Sequence, residues 1–484
     1  MNLRAVDSYQ VLLVLPNTRW FGKRPWISIP QAALILTDLL KRECGFHILD
    51  ANGRNLSIEE TYSHIKKLSP DMVMVSALSV EYHQQYHQAV HLARQACPEC
   101  ITAMGGVYPT VMGEDALENE DLDYIFVGHA EERIGAFVKA VSGGYINEVQ
   151  SMPGIGFRDA DGNMKINPVK TYIGDVKELA RPDYSLIDMS PYLEQASKDY
   201  QFNSDLPTAT LITSYGCPYN CIFCATRTIS GRKVAFRPVE EVLYEIDYLL
   251  TRYGVENLIF IDDCILANRG RAEALFRSFI ERKYKLVWKI ATVSAWHLDD
   301  ALLEIMKQAG CVQITVSIES GSPRVLHNII RKPLKLDIIP RIVMKCKELG
   351  IDIGANFVIG FPGETWEEIR ETFRYAENQD FDMVHFHIAT PLPGTDLYHI
   401  TRDQGLLPPD FSFKDPRYFG FGQAFISTDE FSPQELMVLR AYEYDRINFK
   451  TPEKIAKAAR MMSIDVEALK EHRKQTRIKC GLHF

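Results

Sequence analysis

The chain has 484 residues, more than one ordinary core accommodates, so two or three domains are expected. With 46% hydrophobic and 24% charged residues it is globular, and a largely disordered chain is excluded. A formal net charge of -9 gives no general attraction to nucleic acid or to an anionic membrane. No apolar run reaches the ~18 residues that span a bilayer and no signal-peptide core is recognisable, so a cytoplasmic protein without a membrane span is expected. Ten cysteines are too dilute for a disulfide scaffold and fit a reducing compartment.

Over residues 1–145 short apolar runs alternate with helical patterns. Strands are predicted at Val11–Leu15, Phe46–Leu49, Met72–Val75, Ile101–Met104 and Tyr124–Val127, with helices at Gln31–Lys41, Ile58–Lys67 and Tyr86–Gln95. The alternation predicts an α/β fold, a doubly wound, Rossmann-like sheet that binds its ligand beyond the carboxyl ends of the strands. There, Ser76-Ala77-Leu78 is followed after 26 residues by Gly105-Gly106, a small hydroxyl and two missing side chains that would open a slot between strands. Asp50-Ala51-Asn52-Gly53 follows the second strand. The loop Pro16–Pro30, with Trp20, Phe21 and Trp26, either packs on a ligand or is anchored in its own core. His83, His87 and His91 fall on one helix face, where a packed or solvated stripe is expected. Cys97 and Cys100 have redox spacing that a proline-bearing turn also explains.

Residues 146–205 are rich in turn chemistry, such as Met152-Pro153-Gly154 and Asp161-Gly162-Asn163, and are expected to link two domains with small strands at most. From 206 to 400 the alternation resumes on a longer period, with six strands near 209–215, 257–262, 286–292, 312–318, 353–359 and 383–389. Six such units predict a partial (β/α)6 TIM-type barrel with its chemistry at the C-terminal strand ends. The unusual residues fall there: Asp262-Asp263-Cys264, Glu319-Ser320-Gly321-Ser322, the run from Asn356 through Val358 to Glu364, and Pro391–Thr395. His385 and His387 share one face of the last strand, either the interior or the helix-covered side. Residues 401–484 form a small, mostly helical region. It holds an aromatic stretch, Phe411–Phe425, suited to closing the barrel mouth, and a basic C-terminus read as a solvated helical face.

The most specific pattern is Gly216–Thr226, GCPYNCIFCAT, which places Cys217, Cys221 and Cys224 at C-x3-C-x2-C spacing. Thiolates are soft ligands, and four of them saturate a 4Fe-4S cube, so a loop of three leaves one iron open. Ordinary thiols or a zinc set are the alternative, though no fourth ligand stands at zinc-knuckle spacing.

This spacing, with Phe223 before the last cysteine, resembles the radical S-adenosylmethionine (SAM) superfamily, and the strand-end segments resemble its SAM-binding segments in order. Ser76, Leu78, Gly105 and Gly106 resemble the S-x-L…GG signature of cobalamin-binding domains. The resemblance implies that Cys217, Cys221 and Cys224 ligate a 4Fe-4S cluster whose open iron takes the amine and carboxylate of SAM. It implies Phe223 against the adenine, Asp262 or Asp263 on the amine, and the Val358 backbone on the adenine edge. Glu319, Ser320 and Asn356 would meet the ribose or the amino-acid end, and Arg331 would grip the carboxylate with two parallel bonds. Asn52 stands where some cobalamin domains supply a histidine, which implies a cobalt without a protein imidazole below it.

The function so implied is that of a cobalamin-dependent radical SAM enzyme, foremost a C-methyltransferase acting on an unactivated carbon of a small metabolite or natural-product precursor. In such enzymes an electron from the cluster cleaves SAM to a 5'-deoxyadenosyl radical and methylcobalamin supplies the methyl group, with flavodoxin or ferredoxin as electron donor. The same resemblance extends to non-methylating enzymes that form or contract rings or dehydrate. A cobalamin- or redox-sensing module is the alternative of another class, opposed by the intact cysteine loop and Gly360–Glu364 stretch. No catalytic residue is assigned, and the substrate is not encoded in any motif.

Overall fold

A computed structural model describes residues 9–41, 43–169, 172, 181–202, 205–415, 417–418 and 422–479. Positions 416 and 419–421 of the expected mouth-closing stretch lie outside the described residues. The chain forms two compact units, one of Met1–Tyr192 with Thr226–Glu245, the other of Leu193–Ala225 with Ile246–Phe484.

In the first unit the strands are β1 (Gln10–Leu15), β2 (Gly45–Asp50), β3 (Met72–Ala77), β4 (Ile101–Gly106), β5 (Tyr124–Phe126), β6 (Ile155–Arg158) and β7 (Met164–Ile166). They lie in the order β2-β1-β3-β4-β5-β6-β7. The first five are parallel. Val11 to Leu15 are all buried, as a strand covered on both faces requires. The order reverses between β1 and β3, which opens a crevice at their carboxyl ends. Helices fill both layers between the strands. Ile58–Leu68 starts at a capping box in which Ser57 and Glu60 satisfy each other's backbone amides. Phe137 of the helix Ile134–Ser142 packs edge-on against Tyr124 and Phe126 at the core's centre.

The expected linker holds two small strands and, beyond them, a helix. β6 and β7 extend the sheet antiparallel, and Ser190–Asp199 is helical. The stretch Thr226–Glu245 belongs with this unit through Glu245, which is buried, accepts from Gln31 Nε2 at 2.9 Å and pairs with Tyr184 and Arg237.

The second unit holds β8 (Thr208–Leu211), β9 (Asn257–Phe260), β10 (Val287–Val293), β11 (Cys311–Glu319), β12 (Asp352–Ile359) and β13 (Met383–Ile388). All are parallel and lie in chain order, the arrangement of an incomplete barrel. Ile314, Val316 and Ile318 are buried on one face of β11, and the polar residues Gln313, Thr315 and Glu319 alternate with them. β13 is an edge strand whose open backbone groups are met by the helix Pro433–Asn448. Asn448 accepts from Val384 N and donates to Val384 O, both at 2.8 Å, and Arg440 Nε donates to Phe386 O at 2.7 Å.

Candidate functional site

The three-cysteine loop springs from the end of β8 and is held at its root by both aspartates that follow β9. Asp262 Oδ1 accepts from Thr213 N at 2.9 Å, Thr213 Oγ1 at 2.7 Å and Ser214 Oγ at 2.6 Å. Asp263 Oδ2 accepts from Gly216 N at 2.9 Å, where the glycine turns with φ at +86°. Burial pushes the Asp262 carboxyl up to about 6, and its Oδ2 has no hydrogen-bond partner. The aspartates thus position the loop.

The middle of the loop is pinned by Ile222, whose N–H donates to Ile330 O at 3.2 Å and whose carbonyl accepts from Leu397 N at 2.8 Å. Its side chain is buried with Leu326, Val358, Phe361 and Leu397, and Cys221 and Phe223 pack against that cluster. Phe223 lies 5.9 Å from Phe361, centroid to centroid. Cys217, Cys221 and Cys224 stand outside any disulfide, each half-buried. Tyr219, between the first two, accepts from Trp296 Nε1 at 2.6 Å and stands 2.9 Å from His297 Nε2. Cys264 is buried next to Cys217, and a hydrogen bond between their thiols holds the Cys217 thiol below its ordinary value. Among the described residues no three His, Cys, Asp or Glu side chains are placed to hold one metal ion. A 4Fe-4S cluster binds each thiolate through a different iron and so accepts a wider set. Three thiols on one loop braced along its length fit such a group.

The strand ends beside the loop carry the other expected residues. Glu319, at φ +75°, forms a buried ion pair of 2.8 Å with Lys332, and the Lys332 ammonium lies 5.4 Å from the Trp296 ring. Lys332 is the cation that the sequence reading missed. The helix that follows β11 is wound as a π-helix over Val325–Ile330 and ends on Arg331 in the left-handed region, φ +64°. That turn directs Lys332 inward, its N–H donating to Leu326 O at 2.8 Å. The half-exposed Arg331 guanidinium is bound to Asp396 at 2.6 Å. Ser320 is fully buried and builds the turn, with Thr372 Oγ1 at 3.1 Å and Ser322 N donating to it at 3.1 Å.

Asn356 and Val358 lie in register with His385 and His387, and Asn356 with Ser317 on its other side. Phe357 and Phe386, which alternate with them, stack at 5.4 Å under Phe373 of the outer helix layer. His385 and His387 therefore face the barrel interior. Burial is the main reason both imidazoles are held low, His385 down to about 3. Glu364 is fully buried, accepts from Gly360 N at 2.7 Å and Phe361 N at 3.0 Å, and leaves Oε1 without a partner.

Burial pushes Glu364 up to about 8, against an ordinary value of 4.5. Between those values the folded chain holds a proton that the unfolded chain has lost, so stability falls as pH rises through that window. Lys289, lowered by burial to about 7 from 10.5, acts in the opposite sense above pH 7. Glu364→Gln removes the first effect alone. Its denaturant midpoint, measured from pH 5 to 9, is expected to fall less with rising pH than that of the wild type.

In the first unit a cavity of about 200 Å³ lies at the carboxyl ends of β3 and β4, lined by Leu13, Met74, Ser76, Gly105, Gly106 and Phe126 among others. Ser76 pairs with Gly105 and Ala77 with Gly106 across the ladder. A Cβ on Gly106, whose φ is +112°, would stand 2.4 Å from Ala77 O, so that position requires glycine. Leu78 reaches the same cavity and is partly exposed. The residues fit a group that inserts between strands.

Asn52 is buried; its Oδ1 accepts from Thr18 N at 3.1 Å and Thr18 Oγ1 at 2.9 Å, and its Nδ2 donates to Trp26 O at 2.9 Å. Trp20 Nε1 donates to Leu56 O at 2.9 Å. The Pro16–Pro30 loop is thus anchored in its own core. The histidine stripe is committed locally, His87 to Tyr108 at 2.8 Å and His91 to Asp121 at 2.7 Å. Cys97 and Cys100 are free thiols.

Residues 211–376 match the radical SAM superfamily and residues 23–138 the B12 binding domain. The chain is 28% identical over 384 residues to the cytidylyl-2-hydroxyethylphosphonate methyltransferase of Streptomyces wedmorensis, covering 74% of this chain and 71% of that protein. It is 29% identical over 401 residues to an uncharacterized methyltransferase of Pyrococcus horikoshii, covering 82% and 84%. In fold it is similar to the radical SAM methyltransferase TsrM of Kitasatospora setae, solved with cobalamin and a 4Fe-4S cluster bound, with a TM-score of 0.71, 17% identity and coverage of 98% and 100%. Among the described residues no helix is long and apolar enough to cross a membrane.

Proposed function

We propose that the chain, whose two matched regions are a radical SAM domain and a B12-binding domain, is a cobalamin-dependent methyltransferase that adds a methyl group to an unactivated carbon of a small molecule. The observation that carries this reading is the coexistence in one chain of a braced three-thiol loop and a strand-end cavity behind an obligatory glycine. When bound, the cluster and SAM would supply a one-electron cleavage and the corrinoid a methyl group. Cys217, Cys221 and Cys224 would hold the cluster, and Ser76, Leu78, Gly105 and Gly106 the corrinoid.

The chain's own residues then have the following tasks. Asp262 and Asp263 fix the loop root, Ile222 fixes its middle, and Trp296 and His297 hold Tyr219 between the first two cysteines. Glu319 and Lys332 present a paired carboxylate and ammonium at the end of β11, where the polar end of SAM would exchange one partner for another. Phe223 and Val358 offer apolar surface to an adenine. Asn356, His385 and His387 face the interior, and the neutral imidazoles can orient a substrate by hydrogen bonds without charge. The electron would come from a small reduced protein such as flavodoxin or ferredoxin.

The test is the product balance. Reduced, cobalamin-loaded enzyme turning over its substrate is expected to release S-adenosylhomocysteine beside 5'-deoxyadenosine. Deoxyadenosine alone would replace methylation by the ring-forming or dehydrating alternative.

A further inference from the structure

The interior face of β11 climbs through Gln313, Thr315, Ser317 and Glu319, each step of two residues rising about 7 Å. The lowest step is closed. Gln313 lies in register with Lys289 of β10, and Gln313 Nε2 and Lys289 Nζ both donate to Gln201 O at 3.3 Å. Lys289 Nζ also donates to Tyr200 O at 2.6 Å. The highest step is the Glu319–Lys332 ion pair. Between floor and ion pair, Ser317, Asn356 and His385 stand side by side in register on three neighbouring strands, with His387 two residues further up β13. All four are half-buried, and among the described residues none of their side chains has a hydrogen-bond partner. The two imidazoles are nearly parallel, 6.3 Å apart with 21° between their planes. Polar groups enclosed by protein ordinarily find partners, so four together without one mark the place of a ligand.

Charge indicates which ligand. The charged groups that bear on His385 are Lys289 and Arg440, with His387 beside it, and those that bear on His387 are Arg440 and Glu319. Arg440 is set there by the helix Pro433–Asn448, its Nε donating to Phe386 O at 2.7 Å. Tyr444, one turn further on, brings its ring 6.2 Å from that of His385. Glu319, the carboxylate in this group, is engaged with Lys332. The field over the open row is therefore positive.

We propose that the substrate carries an anionic head, a phosphate or a carboxylate, which seats on His385, His387 and Asn356 with the acceptor carbon directed up the barrel towards the Glu319–Lys332 pair. This rests on the proposed function, which places SAM at that pair. Each neutral imidazole has one N–H to donate, the Asn356 amide two and the Ser317 hydroxyl one, enough to satisfy the oxygens of such a head. Hydrogen bonds to an ionised acceptor are roughly twice as strong as neutral ones. An uncharged polyol would use the same donors and leave the positive field unanswered. The row lies one step, about 7 Å, below the ion pair, so only a few bonds separate the head from the carbon that is methylated.

Histidine-selective carbon-13 NMR of the full-length protein, loaded with cobalamin and the oxidised cluster, tests the inference with inorganic phosphate, acetate and, at equal ionic strength, chloride. Two of the 13 imidazole signals, assigned by their loss in His385→Asn and His387→Asn, are expected to shift saturably with phosphate or acetate and not with chloride. The anion that saturates at the lower concentration identifies the head. In each variant the surviving signal of the pair is expected to need about tenfold more of that anion. Signals that ignore both anions, or that answer chloride equally, overturn the anionic head, and so does an affinity unchanged in both variants. The product balance between S-adenosylhomocysteine and 5'-deoxyadenosine involves no added anion, so methyl transfer stands or falls separately.

Discussion

Alanine at Cys217, Cys221 or Cys224 is expected to reduce the iron and sulfide retained after anaerobic reconstitution to background, and reductive SAM cleavage with them. The loop supplies three thiols and no spare, so the loss of one leaves the cluster with two protein ligands. Cys264 is the nearest possible substitute, but it is buried and its thiol is engaged with Cys217. The thiols themselves are only half-buried, and the loop's rigidity comes from Asp262, Asp263 and Ile222. Each alanine variant should therefore unfold within about 1 kcal/mol of the wild type. Iron analysis and denaturant unfolding on the same preparation separate loss of cluster from loss of fold. A variant that kept a full cluster would remove that cysteine from the ligand set.

Lys332→Ala is expected to destabilise the second unit by about 3–5 kcal/mol, because it leaves the Glu319 carboxylate buried without its partner. The pair Lys332→Met with Glu319→Gln removes both charges and should recover most of that loss. If the ion pair also meets SAM, the double variant regains stability without regaining SAM affinity, measured by equilibrium dialysis on cluster-loaded protein. Recovery of both would make the pair purely structural. Arg331→Ala, by contrast, removes a half-exposed pair with Asp396 and should cost no more than about 1 kcal/mol.

The strands and helices of both units were legible because apolar runs and amphipathic periodicity are local properties. All six barrel strands fall within a few residues of their expected bounds. The small strands expected between the two units are β6 and β7, but their antiparallel addition to the sheet was not legible, since β7 is short and exposed and its sequence reads as turns. At the site, residue type and spacing located the strand ends but not the direction of each side chain. Asp262 and Asp263 turn back to the loop root. Which of the adjacent cations Arg331 and Lys332 faces inward is settled by one left-handed residue after a π-helical turn, a conformation no periodicity announces. The interior placement of His385 and His387 needed the aromatic stacking of their alternating neighbours on β13. The character of the cavity beside Ser76 was hidden for another reason: its walls come from scattered segments, including Ile229 far along the chain.

The most direct test of the account is the fate of an isotopically labelled SAM methyl group. Reduced enzyme loaded with cluster and cobalamin should transfer the label to a new carbon–carbon bond in the product, with S-adenosylhomocysteine and 5'-deoxyadenosine both formed and the transfer lost when cobalamin is omitted. An unlabelled product accompanied by 5'-deoxyadenosine alone, formed equally well without cobalamin, would contradict it.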